Sequence, residues 1–116
     1  MGNSIASAMK QKALPDYDIP SLAETLAILN KVDLHFGNDN GPRHFAIAGG
    51  TPTLTIFGRP WAANWTPPQA TQHCALEYDP GCKNNCTYPK CKLECLNGVT
   101  VETVQTELEK MIKTFC

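Results

Sequence analysis

The sequence has no apolar run approaching the roughly 20 residues that a membrane-spanning helix requires. Its start holds no hydrophobic stretch of signal-peptide length, because Lys10 and Lys12 arrive too soon. Export by the standard route is therefore not expected. Net charge is also scarce: ten Lys and Arg against eleven Asp and Glu give −1. That balance supplies no basic field for nucleic acid and no polybasic field for anionic lipid. Aromatic residues make up only 8% of the chain, so two tryptophans on one proline-rich loop, Trp61 and Trp65, stand out as a candidate interaction surface. No Gly-Lys-Ser/Thr follows Gly49-Gly50, and a turn accounts for those glycines better than a phosphate loop. No Asp, Ser or Cys is spaced to complete a hydrolytic triad with His35 or His44. Internal repeats and low-complexity tracts are missing as well.

What is present reads as one small domain. A chain of 116 residues with 42% hydrophobic and 18% charged residues can bury a usable core. Residues 1–20 form an N-terminal arm that ends in the extended linker Pro15–Pro20, and residues 21–116 form the domain, with a Cys-rich segment at 73–95. Ser21-Leu22-Ala23-Glu24 is a capping box that opens a helix at about 21–31. The period then changes to two. Val32, Leu34 and Phe36 alternate with Asp33 and His35, and Phe45 and Ile47 alternate with His44 and Ala46, across the turn formers Gly37–Pro42. Thr53–Phe57 supplies a third strand. The expected fold class is α+β: an N-terminal helix, a three-stranded antiparallel meander, a clamped Cys-rich loop and a C-terminal amphipathic helix. That last helix follows the cap Thr100 and carries Val101, Val104, Leu108, Met111 and Phe115 on one seam. The seam packs on its own sheet, and its heptad-like spacing also allows homodimerisation.

The chain begins Met1-Gly2-Asn3-Ser4-Ile5-Ala6-Ser7. This start resembles the N-myristoylation signal of small viral matrix and accessory proteins, with Ala6 where the strict motif has Ser or Thr. The likeness implies an acyl group on the freed amine of Gly2 and attachment to the cytosolic face of a membrane. One acyl chain binds membranes only marginally, so a second signal or a protein partner would be needed.

Five of the six cysteines fall between Cys74 and Cys95. Cys82-x-x-x-Cys86 and Cys91-x-x-x-Cys95 flank a turn containing Pro89. Folded as a hairpin, they bring four sulfurs together, either as a zinc site or as nested disulfides Cys82–Cys95 and Cys86–Cys91. His73 and Cys74 are additional candidate ligands. A cytosolic setting favours zinc, since thiols stay reduced there. His73 adjoins Cys74, but sequence neighbours usually point apart, and six clustered cysteines read as structural rather than catalytic. The sequence therefore points to a non-enzymatic, N-myristoylated, membrane-associated interaction protein of viral matrix or accessory type, with structural zinc at Cys82, Cys86, Cys91 and Cys95. The alternative is a disulfide-stapled secreted or virion-surface binding module.

Overall fold

A computed structural model describes residues 2–13, 21–59, 61–82 and 84–116. Met1 and the Pro15–Pro20 linker lie outside the described residues. Helix α1 (Gly2–Ala8) occupies the N-terminal arm. Helix α2 (Leu22–Leu29) starts on the expected box: the Ser21 hydroxyl accepts from the Glu24 amide, and the Ser21 amide donates to the Glu24 carboxylate at 2.8 Å. Its inner end is Leu29, which is buried, whereas Leu22 and Ile28 stay exposed.

From residue 35 onward, strands and helices alternate. Strand β1 (His35–Asn38) leads into helix α3 (Gly41–Ala48), then strand β2 (Thr53–Ile56), the single turn α4 (Ala62–Trp65) and strand β3 (His73–Leu76). The strands lie in the order β1-β2-β3, and both pairings are parallel. The antiparallel meander is thus replaced by two consecutive β-α-β units. The reason lies in residues 40–47. Asn40 caps α3 by accepting from the Arg43 amide at 3.3 Å, and Pro42 sits in the first turn, where its missing N–H costs nothing. Within this segment Arg43 and Ala46 are buried, a spacing of three that a helix produces and a strand does not. The Gly37–Pro42 cluster closes a strand and opens a helix; it does not join two strands. Parallel neighbours need such a crossover.

The register sets the faces. His35, Thr53 and His73 form one row, and Gly37, Thr55 and Ala75 another on the same side. Helix α3 covers this side through Arg43, whose Nε donates to Thr55 Oγ1 at 2.9 Å. Phe36, Leu54 and Cys74 face the opposite side, where α6 (Val101–Phe115) lies with Glu107 near Cys74. Leu54 and Met111 are buried between these layers. Of the expected seam on α6, Val104, Leu108 and Met111 turn inward, while Val101 at the first turn remains 77% exposed. Thr100 caps that helix as expected, accepting from the Thr103 amide.

The two ends of the sheet are fastened differently. At the amino end, Gly50 takes φ +80°, a left-handed conformation that favours glycine, and Thr51 Oγ1 donates to the Leu29 carbonyl at 2.7 Å. That bond ties the start of β2 to the end of α2. At the carboxyl end, β1 and β2 run into loops that leave a cleft.

Candidate active site at the carboxyl edge of the sheet

The cleft has a volume of about 530 Å³. Its floor is made by Asn38 and Asp39 at the end of β1 and by Ile56, Phe57, Gly58 and Arg59 at the end of β2. Trp61 just before α4, Trp65 at its end, Tyr88 and Leu93 from the Cys-rich segment, and Leu96 just after that segment complete it. Open α/β sheets bind ligands in this place, because the loops that leave the strand carboxyl ends diverge there.

Arg43 organises the cleft from beneath. It is fully buried, and each of its guanidinium nitrogens has a partner. Nε donates to Thr55, Nη1 to Asp39 Oδ1 at 3.2 Å and to the Trp65 carbonyl at 3.0 Å, and Nη2 to Thr66 Oγ1 at 2.7 Å. Its carbon also lies 5.0 Å from the centre of the Phe57 ring. Burial pulls its pKa down and Asp39 works against that, so the group stays charged. One side chain therefore joins the end of β1, the middle of β2 and the α4 turn. Asp39 is left with one oxygen ion-paired to Arg43, while His44 Nε2 stands 3.6 Å from the same oxygen. The His44 ring meets Trp65 edge-on at 5.9 Å.

Trp61 and Trp65, singled out from the sequence, both line this cleft, and Trp65 is 53% exposed. His35 and His44 do not share a face: His35 points into the α3 side of the sheet and His44 lies on α3. No disulfide joins the six cysteines, all of which are among the described residues. Cys95 is buried and its thiol donates to the Gly58 carbonyl, which fixes the Cys-rich segment to the cleft floor. Partial burial pushes the Cys82 thiol up, with Cys86, Cys95 and Asp79 adding to it. His73 and Cys74 point to opposite faces of β3: His73 Nδ1 lies 3.2 Å from Thr53 Oγ1, and Cys74 faces Glu107. Among the described residues, no three His, Cys, Asp or Glu side chains are grouped to hold a metal ion. Asp39, Arg43 and Arg59 were not picked out as site residues. An Asn cap followed two residues later by Pro is a helix-start signal, and reading it so would have placed Asp39 at a strand-to-helix junction.

The model of glycosyltransferase family 9 (heptosyltransferase) matches residues 18–96, more than half of the chain and the whole of the sheet and cleft. A lipopolysaccharide heptosyltransferase 1 from Campylobacter coli is 47% identical over 38 residues, which cover 33% of this chain and 11% of that protein. The chain thus matches only a small part of that relative's length. No solved structure matches. These similarities overturn the expectation of a non-enzymatic, myristoylated protein of viral type, together with its stapled-module alternative. Its viral, acylated part rested on seven N-terminal residues outside the matched segment, and its non-enzymatic part on reading the cysteines of 73–95, inside that segment, as structural.

Proposed function

Because the chain belongs to glycosyltransferase family 9, the heptosyltransferases, we propose that its cleft binds the activated donor of a glycosyl transfer, a heptose joined to a nucleoside diphosphate. In such a transfer the bond from the anomeric carbon to the diphosphate oxygen breaks, and that oxygen keeps the electron pair. An acceptor hydroxyl oxygen bonds to the same carbon and loses its proton to a base. The observation that carries the reading is the coincidence of the family match with a parallel sheet whose cleft opens at the strand carboxyl ends.

Each part of the cleft has a role in this reading. Helix α3 starts two residues beyond Asp39, and its amino end favours negative charge, as a diphosphate brings. Asp39, ion-paired to Arg43, is an oriented hydrogen-bond acceptor for sugar hydroxyls. Trp61 and Trp65 offer flat apolar walls to a base or sugar ring. By analogy with the lipopolysaccharide enzyme, the acceptor is a saccharide of a lipopolysaccharide.

Calorimetric titration with a panel of nucleoside-diphosphate sugars tests the reading. Binding of at least one, weakened about ten-fold or more by Asp39→Asn, is the expected result. A panel in which none binds, or in which Asp39→Asn binds as well as the wild type, ends it.

A further inference from the structure

The cleft contains two arginines, and they are in opposite states. Arg43 is buried with every nitrogen engaged. Arg59 is exposed, its carbonyl accepts from the Trp61 amide at 2.8 Å, and its guanidinium, among the described residues, makes neither a hydrogen bond nor an ion pair. Its contacts are two aromatic rings: the guanidinium carbon lies 5.1 Å from the centre of the Trp61 ring and 5.8 Å from that of Tyr88. Cation–π contacts hold a guanidinium through ring electrons and consume none of its N–H donors. Arg59 is therefore positioned yet unspent, with its forked donors available to a phosphate or carboxylate.

Its surroundings leave it available. Arg59 lines the same cleft as Phe57, Leu93 and Leu96, whose apolar side chains offer its N–H donors no competing partner. Among the described residues lining the cleft floor, the one carboxylate, Asp39, is already balanced by Arg43. Glu77, the acid following β3, is turned to the Ala62 amide at 2.8 Å. Among the described residues that line the cleft, Arg59 is the positive charge that no carboxylate balances. Tyr88 comes from the Cys-rich segment, which Cys95 fastens to Gly58, the residue before Arg59. The Cys-rich loop thus supplies one of the two rings that hold this cation.

We infer that Arg59, clasped between Trp61 and Tyr88, is the receptor for a phosphate oxyanion of the ligand that enters the cleft. This rests on the donor-cleft reading above and makes it more specific. The phosphate has two sources in that setting, the diphosphate of the donor or a phosphorylated sugar of the acceptor, and both present oxygens that match the guanidinium fork.

Inorganic pyrophosphate and a heptose monophosphate phosphorylated away from its anomeric carbon, and so unlike the donor, serve as separate probes, titrated into the full chain by calorimetry and by tryptophan emission, with Trp61 beside the binding group as reporter. Saturable pyrophosphate binding that falls about ten-fold or more in Arg59→Gln assigns the donor diphosphate. The same loss seen only with heptose monophosphate assigns the acceptor. Arg59→Lys is expected to recover part of the affinity, because it restores the charge without the fork. Thermal unfolding of Arg59→Gln should match the wild type, since the side chain is exposed. Absence of binding by both probes, or equal binding by wild type and Arg59→Gln, overturns the assignment. Asp39→Asn with a nucleotide sugar reports independently on the donor reading, so the two failures are distinguishable.

Discussion

At the scale of the residue, Arg43 is the clearest case of a side chain whose removal should be felt beyond its own volume. Arg43→Met keeps much of the bulk but leaves Asp39 without its cation, and Thr55, Thr66 and the Trp65 carbonyl without a donor. Breaking a buried pair on one side is costly, because the partner remains in place uncompensated. Asp39 is partly exposed, so water recovers some of the loss. Arg43→Met is expected to lower the unfolding free energy by about 2–4 kcal/mol in urea. Arg43→Lys should recover less than half of that, as one ammonium cannot reach across β1, β2 and α4 together. An Arg43→Met protein as stable as the wild type would deny this residue its organising role. Nothing in the sequence marked it, since a single Arg in a turn-rich stretch looks like a surface charge. Its burial follows from tertiary partners 12 to 23 residues away.

At the scale of the element, capping chemistry was legible and strand pairing was not. The Ser21–Glu24 box, the Thr100 cap and the β2 segment all appear where local residue chemistry puts them. The β3 strand was missed because four residues inside a Cys-bearing, irregular segment carry no period of their own. Asn40 sits between these cases, a cap that reads equally well as a turn residue. Asn40→Ala is expected to destabilise the fold by about 1 kcal/mol, seen as a lower urea midpoint at unchanged slope, and Asn40→Asp to be near neutral. The Cys-rich segment gives a second check. Cys95→Ala removes a buried thiol from the Gly58 carbonyl and should cost about 1–2 kcal/mol while weakening whatever the cleft binds. Zinc at Cys82, Cys86, Cys91 and Cys95 remains a proposal with its own readout. It predicts about one zinc per chain after purification under reducing conditions, and a lower Tm on chelation. Metal-free protein whose thiols react only after reduction would assign disulfides instead.

At the scale of the whole molecule, the parallel sheet follows from which strands meet, and that depends on contacts between segments that are distant in sequence. Alternating residues around His35 and His44 fit a hairpin as well as a strand followed by a helix, so local pattern alone could not choose. The topology has a consequence for stability against pH. Parallel order places His35 and His73 in one row with Thr53, on the face that Arg43 occupies. Burial first, and the Arg43 charge second, hold both imidazoles below their ordinary value of 6.5. The unfolded chain therefore takes up protons near that pH that the fold refuses, and stability falls as pH drops below about 6.5. At the other end, burial raises the Cys74 and Cys82 thiols above their ordinary 9.0. There the unfolded chain releases protons first, so stability is complete below that value and declines as pH rises through it. The expected profile of Tm against pH in a reducing buffer is a plateau between about 6.5 and 9, sloping down on both sides. His73→Gln should flatten the acid slope, because it removes one of the two groups that titrate there while keeping a polar partner for Thr53. An acid slope unchanged in both His35→Gln and His73→Gln would show that the fold does not hold these imidazoles below their ordinary value.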